Sequence, residues 1–211
     1  MSFHENRIEE LIIENPKAYR ELVGDFMIQC DGDEGKWILS DDDSLVSLKK
    51  YALMITDAFS LDVNQKKMVS RLHEVLKKNL IEGPLYMEFR QLMAENLSFV
   101  ERLIDVEGYD LAYEKDLDVS SYLKFVGVKN LDDTQGFLER LILYTRLAGE
   151  LLGIRLIVIT NLKNMLDEEE LVQFYVMCNY LKISVLLIES TERQVLEYEH
   201  RTIIDRDLCL I

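Results

Sequence analysis

A group of basic residues with helical spacing is the first candidate for chemistry in this 211-residue sequence. Lys67, Arg71 and Lys78 are four and seven residues apart, so a helix would carry them on one side. Lys66 and Lys77 flank that side. Because lysine and arginine bind phosphate without reading bases, one interpretation is a sequence-independent DNA contact. The solvated face of an ordinary helix is the other interpretation.

A second candidate is a stretch rich in carboxylates, between residues 105 and 118. Carboxylate oxygens are the ligands that a hard cation such as calcium requires, although the spacing does not match an EF-hand loop. The stretch therefore has two interpretations, a calcium site and a solvated acidic loop. Its candidate ligands are Glu107, Asp110, Glu114, Asp116 and Asp118.

Motifs for nucleotide hydrolysis are missing. The pattern G-x-x-x-x-G-K-[ST] does not occur, and the first apolar run leads into residues 14–17, Glu-Asn-Pro-Lys, which offer no glycine-rich cradle for phosphates. After a later apolar run, Thr160 and Asn161 stand where a magnesium-binding acid would be expected. The sequence therefore does not support ATP binding in the usual manner.

Nucleophile and zinc motifs are missing as well. The three histidines, His4, His73 and His200, are scattered along the sequence and are expected at the surface. The three cysteines form no C-x-x-C pair, which argues against a zinc site and a disulfide framework and fits a reducing cytoplasm. We expect a protein that is not an enzyme.

Composition and charge limit the remaining classes. There are 24 Lys and Arg against 39 Asp and Glu, a net charge of −15, which excludes a generic basic nucleic-acid coat. Hydrophobic residues make up 48% and only 9 residues are Gly and 2 Pro, so the chain is expected to fold. No signal-like segment and no run of about 20 apolar residues occurs, so a cytoplasmic protein without a membrane span is predicted.

Hydrophobic periodicity predicts an α/β protein with a helical middle section. Strands are predicted at 8–13, 36–39, 51–56, 155–160 and 183–188, with edge strands at 202–204 and 208–211. Helices are predicted at 16–29, 64–79, 84–104, 120–126, 134–152 and 167–181. Strand–helix–strand order with continuous Leu, Ile and Val runs is typical of a parallel sheet covered on both faces. The sequence therefore predicts a discontinuous α/β head, 1–60 with 153–211, and an inserted helical leg, 61–152.

Four segments in this order resemble the small adaptation protein of type II-A CRISPR–Cas systems. They are residues 12–20 (IIENPKAYR), 59–64 (FSLDVN) followed by Lys66 and Lys67, 156–162 (LIVITNL) and 185–189 (VLLIE). The resemblance spans almost the whole chain, although this chain begins only a few residues before its first strand, where relatives carry an additional segment.

The resemblance implies a non-enzymatic protein whose head has a mainly parallel sheet like a degenerate nucleotide-binding fold. It also implies homotetrameric rings, stabilised by calcium, that take up ends of double-stranded DNA in a basic central channel during spacer acquisition for antiviral defence. The implied partners are the CRISPR integrase proteins and the RNA-guided nuclease.

Carried over by position, the resemblance assigns the channel and the cation to named residues. The DNA-binding candidates are Lys66, Lys67, Arg71, Lys77, Lys78, Arg140 and Arg146. The calcium candidates are the five acidic residues of the 105–118 stretch. Two alternatives stay open: a protein-only interaction or adaptor module without DNA binding, and a metal-dependent nuclease or NTPase using the Asp-rich segments.

Overall fold

The computed structural model describes residues 3–4, 7–41, 44–107, 112–114, 118–134 and 136–211. Its strands are β1 Ile8–Ile13, β2 Leu39–Asp41, β3 Ser44–Val46, β4 Ala52–Ile55, β5 Leu156–Thr160, β6 Ser184–Glu189 and β7 Glu199–Ile204. Its helices are α1 Pro16–Asp31, α2 Leu48–Tyr51, α3 Lys66–Glu82, α4 Tyr86–Glu107, α5 Val119–Val126, α6 Phe137–Leu152 and α7 Glu168–Tyr180. No helix in this described part combines the length and the apolarity that a membrane crossing needs.

Five strands form one parallel sheet in the order β4-β5-β6-β1-β7, and β2 and β3 form a separate antiparallel hairpin. The predicted α/β class with a parallel sheet is confirmed. The strand predicted at 36–39 begins only at Leu39, because residues 36 and 37 instead bond to side chains of α1. The strand predicted at 208–211 is reduced to one antiparallel bridge, Ile204 to Leu210, along the outer edge of β7.

The chain divides into two compact units. The first unit is Met1–Val63 with Asp132–Ile211, and the second unit is Asn64–Leu131. The sequence pattern assigns 61–152 to the leg, but α6 lies in the first unit, where it packs against α7 and buries Leu141 and Ala148. Periodicity shows that a helix has an apolar face but does not show which unit covers that face.

The division also separates charge. The second unit carries 10 Lys and Arg against 11 Asp and Glu, a net charge of −1. The first unit carries 14 against 28, a net charge of −14. Nearly all of the net negative charge of the chain therefore belongs to the first unit.

One face of the parallel sheet is covered by α1. The Asn15 side chain caps α1 by accepting from the backbone N–H groups of Lys17 and Ala18, and Pro16 follows at the first helical position. Phe26 of α1 is buried and meets Trp37 edge-to-face, with the ring centroids 5.2 Å apart. These contacts close the apolar core on this face.

The other face of the sheet holds a cluster of buried charges around Lys163, in the turn after β5. The Lys163 Nζ atom lies 3.0 Å from Oε1 of Glu10 in β1 and 2.8 Å from Oε2 of Glu199 in β7, and donates to the Gln194 carbonyl at 2.9 Å. Arg201 of β7 completes the charge balance, because its Nε donates to Oε2 of Glu10 at 2.7 Å. Two cations therefore compensate two buried carboxylates.

Two further residues join this Lys163 cluster. Tyr175 of α7 donates its hydroxyl to Oε1 of Glu199 at 2.7 Å, and burial raises the pKa of Tyr175, so the hydroxyl remains a donor. Glu189, at the end of β6, accepts from the backbone N–H of Lys163 at 3.1 Å. The cluster thus joins β1, β6, β7, α7 and the turn after β5.

The Lys163 cluster fixes the register of the edge strand. Glu10 of β1 stands opposite Arg201 of β7, and a slip of one residue would turn Arg201 to the other face of the sheet. On that other face, Glu9 is also fully buried, with His200 Nδ1 2.9 Å from one carboxylate oxygen and Arg7 Nε 2.9 Å from the other. Glu9 therefore meets Arg7 and His200 on one face of the sheet, and Glu10 meets Lys163 and Arg201 on the other.

Replacing the central cation should destabilise the first unit strongly. In Lys163→Met, Glu10 and Glu199 lose a buried partner, and we expect the free energy of unfolding to fall by about 3–5 kcal/mol. Urea denaturation followed by the fluorescence of the single tryptophan, Trp37, reports this unit. Lys36→Met at an exposed position is the matched control. A loss no larger than that of the control would contradict this account.

Glu189 should give the first unit a distinct dependence on pH. Burial raises the pKa of Glu189 from 4.5 to about 7. Between those values the folded chain keeps a proton that the unfolded chain releases, so stability falls as the pH rises through this window and levels off above it. In Glu189→Gln the fall in unfolding free energy between pH 5 and pH 8 should be smaller, whereas Glu150→Gln, at an exposed site, should behave as the parent chain. An equal fall in both variants would argue against Glu189 as the cause of this pH dependence.

Candidate nucleic-acid interface

The orientation of α3 depends on hydrogen bonds to the segment after α5. His73 is buried at 2% exposure and its Nε2 donates to the carbonyl oxygen of Val128 at 2.8 Å. Asn64 exchanges two bonds with the backbone of Asn130: its amide donates to the carbonyl at 3.1 Å, and its oxygen accepts from the N–H at 2.8 Å. The expectation that His73 lies at the surface was wrong, because Val128 supplies a buried acceptor for the ring.

This packing decides which side of α3 faces solvent. Met68 and His73 are buried, whereas Val75, which the apolar pattern places inward, is 41% exposed. Lys67 and Lys78 are both exposed and stand eleven residues apart on the side away from Met68. At 1.5 Å per residue, they span about 16 Å along the helix axis.

The basic side of α3 is interrupted by one carboxylate. Glu74 lies between the cations and forms an ion pair with Arg71, three residues earlier. Both side chains are more than half exposed, so solvent screens the pair. Lys67 and Lys78 are therefore stronger candidates for phosphate than Arg71.

Lys77 has a structural role in the described contacts. Its Nζ atom lies 2.5 Å from Oδ1 of Asp118, while Oδ2 of Asp118 accepts from the backbone N–H of Ser120 and caps α5. The hydrogen bond from Lys77 holds the pKa of Asp118 below its usual value. Lys77 thus ties the start of α5 to α3, and Asp118 has both oxygens engaged.

The N-terminus of α3 adds to its basic character. The N-cap residue is Gln65, the first turn holds no acidic residue, and Lys66 and Lys67 begin the helix, both exposed. The partial positive charge of a helix N-terminus and two lysines therefore act on the same region.

The two remaining basic candidates lie on α6, in the first unit. Arg140 is half-buried, and its Nε donates to Oγ1 of Thr134 at 3.4 Å. Beside it is a shallow pocket of about 250 Å³ formed with Phe59 and Phe137. Arg146 is exposed. Both arginines therefore belong to a different unit from the five cations of α3.

Two of the five calcium candidates have side chains that the structure describes. Glu114 is exposed, and Asp118 has the partners given above. Asp110, Asp116 and the side chain of Glu107 lie outside the described residues. Among the residues that are described, no three His, Cys, Asp or Glu side chains are grouped so as to hold a metal ion.

The carboxyl edge of the parallel sheet, where open α/β sheets commonly bind ligands, is filled by the chain itself. Asn161 follows β5 with a positive φ of 53°, its amide donates to the Tyr19 hydroxyl at 2.9 Å, and its oxygen accepts from the N–H and hydroxyl of Ser190. Burial raises the pKa of Tyr19. The Asn15 side chain already occupies the N-terminal amides of α1 that could otherwise bind an anion.

Comparison with known proteins identifies a family whose model matches this chain. A family model described as "CRISPR-associated protein (Cas_Csn2)" matches residues 29–208. No curated protein matches the sequence. Among solved structures, the chain is similar to one titled "Putative ABC transporter (ATP-binding protein)" from Pyrococcus furiosus, with 8% identity, a TM-score of 0.42 and coverage of 95% of this chain and 86% of that chain.

Proposed function

The chain belongs to the Cas_Csn2 family of CRISPR-associated proteins, as the sequence resemblance predicted, and from this membership we propose its activity. It is a non-enzymatic protein that binds ends of double-stranded DNA without regard to sequence, as a ring of several copies, four being the expected number. It serves spacer acquisition together with the CRISPR integrase proteins and the RNA-guided nuclease.

The exposed lysines of α3 are the observation that carries this proposal. Lys66, Lys67 and Lys78 are solvent-exposed, and within the described part of the chain no ion pair involves them. Flexible lysines that contact phosphate oxygens carry no base information, which suits a protein that must accept any DNA.

The charge distribution supports contact through α3. The helix carries 5 basic residues against 2 acidic ones, a net charge of +3, in a unit whose total is −1. The first unit, at −14, repels phosphate. At physiological salt charges act over about 8 Å, so a local positive helix can hold DNA in an acidic protein.

A ring explains how so few cations in each copy could be enough to bind DNA. Three exposed lysines in one copy release few counterions, and non-specific affinity increases with the number of phosphates neutralised. Four copies arranged around one duplex would bring about twelve such lysines to the same DNA, and contacts within one assembly reinforce each other.

The occupied carboxyl edge of the sheet supports a role without nucleotide hydrolysis. Asn161 hydrogen-bonds to both Tyr19 and Ser190 there, and Asn15 caps the helix that would otherwise receive phosphate. A nucleotide could bind at this edge only if these hydrogen bonds were broken.

The form of the DNA tests the threaded ring. We expect the parent protein, with calcium present, to bind a linear duplex more tightly than a covalently closed circle of the same sequence, and this preference to vanish as salt rises.

Charge reversal on α3 tests the DNA contact. Lys67→Glu with Lys78→Glu should weaken binding. It should also reduce the slope of log K against log salt by about 0.9 for each phosphate that is no longer neutralised, which is about 2 per copy. Fluorescence anisotropy over a salt series measures both quantities.

The matched control is Lys17→Glu with Lys36→Glu, which makes the same change of charge at exposed positions of the first unit. Its binding should stay close to that of the parent. Equal binding of linear and circular DNA would contradict the threaded ring and indicate that DNA lies in a surface groove. No binding of either form would favour the protein-only module.

We also propose calcium as a structural cofactor of the assembly. The chemistry of the 105–118 stretch fits a hard cation, since it supplies several carboxylates. Asp118 does not fit as a ligand, because Lys77 and the α5 cap engage both of its oxygens. The proposed ligands are therefore Glu114 with Glu107, Asp110 and Asp116.

Chelation should lower both the mass of the assembly and its affinity for DNA, because binding of a cation to the assembled state stabilises that state. Light scattering and DNA titration, each with calcium and with a chelator, measure the two effects. Glu114→Gln should reduce the response to calcium, whereas Asp118→Asn, which keeps an acceptor for the α5 cap, should retain it. Equal mass and affinity with and without calcium would contradict the proposal.

A further inference from the structure

The last turn of α5 carries an exposed aromatic ring. Phe125 is 88% exposed, and no other large apolar side chain in the described part of the chain is as exposed. It takes no part in the aromatic contacts found among those residues. A single apolar side chain at a surface is common in folded proteins, so the surroundings of this ring decide whether it can bind a ligand.

The sequence around Phe125 is basic. Residues 119–131 contain Lys124 and Lys129 and no Asp or Glu, in a chain with a net charge of −15. Both lysines are exposed, and the ion pairs described for this unit do not involve them. Lys124 lies in the last turn of α5, where its charge compensates the partial negative charge of a helix C-terminus. The ring therefore lies beside positive charge, which favours an anionic ligand.

The other strongly exposed rings have different surroundings. Among the described residues, Phe59 and Tyr180 are the other aromatic side chains that are more than 60% exposed, at 69% and 80%. Both belong to the first unit, whose net charge is −14, and Phe59 already packs against Phe137 with the ring centroids 5.0 Å apart. Phe125 is therefore the exposed ring that an anionic ligand can best approach.

The backbone that carries Phe125 is held in place against α3. Gly127 ends α5 with a positive φ of 76°, and the N–H of Val128 donates to the carbonyl oxygen of Leu123 at 2.9 Å. The carbonyl oxygen of Val128 in turn accepts from His73 of α3 at 2.8 Å. A ring on a fixed backbone loses little conformational freedom when a ligand covers it.

From these observations we propose that Phe125 stacks on the terminal base pair of a bound DNA duplex, with Lys124 and Lys129 beside the nearest phosphates. A base pair is the ligand because an aromatic ring stacks on any base, while lysines suit the phosphates attached to it. The inference rests on the proposed function and adds to it a residue that recognises the end itself.

Stacking on Phe125 requires a free base face, which only an end provides. Inside a duplex both faces of each pair are covered by its neighbours, and inserting a side chain between two pairs costs stacking energy. At an end one face is open, so the ring covers it without that cost. A closed circle has no such face. Stacking therefore adds a second source of preference for linear DNA, besides threading.

Closing the ends of the duplex tests the stacking. The probes are a linear duplex with open blunt ends and a duplex of the same sequence whose two ends are each closed by a short loop of nucleotides. We expect the parent protein to bind the open duplex more tightly. Phe125→Ala should weaken binding of the open duplex on the order of tenfold and leave binding of the closed duplex unchanged, because only the open one offers a stacking face. Fluorescence anisotropy measures both affinities.

Two further variants show whether the aromatic ring itself is responsible. Phe125→Tyr keeps an aromatic face and should retain the preference for open ends, whereas Phe125→Leu is apolar without such a face and should lose it. The matched control is Leu131→Ala, at an apolar side chain of the same unit that is 77% exposed. Its affinities should equal those of the parent.

Three results would overturn the stacking. They are an equal loss of affinity for both duplexes in Phe125→Ala, a Phe125→Leu variant that binds as the parent does, and a lower particle mass of Phe125→Ala in sedimentation velocity. The last result would mean that the ring is covered by another copy of the chain instead of by DNA.

The parent protein separates this inference from the proposed function. If the parent prefers linear to circular DNA and Phe125→Ala does so equally, the stacking is refuted and the binding of DNA ends stands. If the parent binds neither form, the proposed function itself falls, and the stacking falls with it.

Discussion

The buried contact of Lys163 with Glu10 and Glu199 is the interaction on which the first unit depends. It joins side chains that are 153 and 36 residues apart in sequence, so the two separated parts of the chain meet through it. With Arg201, which donates to Glu10, four charges are taken largely out of water, and only their mutual compensation makes that cost tolerable. The strand order around β1 is therefore tied to one arrangement of charges. A purely apolar sheet would restrict its register less.

This constraint also separates the roles of the two units. In the first unit, the polar groups at the sheet are largely occupied with one another, from the Lys163 cluster to the bonds among Asn161, Ser190 and Tyr19. In the second unit, hydrogen bonds such as His73 to Val128 position α3, and Lys67 and Lys78 remain in solvent. Lys67 and Lys78 therefore take no part in the ion pairs described for their unit, in contrast to the polar groups at the sheet.

Sequence reasoning finds the parts of the fold that depend on local pattern. The strands at 8–13, 155–160 and 183–188 are predictable because long apolar runs favour buried parallel strands. Helical spacing predicts that Lys67 and Lys78 share one side of α3, whereas the burial of His73 and the exposure of Val75 depend on packing that the spacing does not show. The unit to which α6 belongs is not predictable, since either unit offers an apolar surface.

Long-range partners account for what the sequence could not show. The run Ile-Glu-Glu-Leu-Ile-Ile predicts an apolar strand, yet the burial of Glu9 and Glu10 depends on His200 and Arg201 nearly two hundred residues later. Likewise, the sequence assigns Lys77 to DNA and Asp118 to calcium, and only their meeting across 41 residues shows that they bind each other. A charged residue therefore gives no local sign of whether it is free to bind a ligand.

The short bridge between Ile204 and Leu210 has a consequence for colloidal behaviour. Ile203 and Ile211 exchange two backbone hydrogen bonds beside it, so the C-terminal end of the outer edge of β7 is already paired. An unpaired edge strand can template the addition of strands from any other chain, which leads to open-ended aggregates. By folding back along β7, the chain closes this edge of the sheet to such growth.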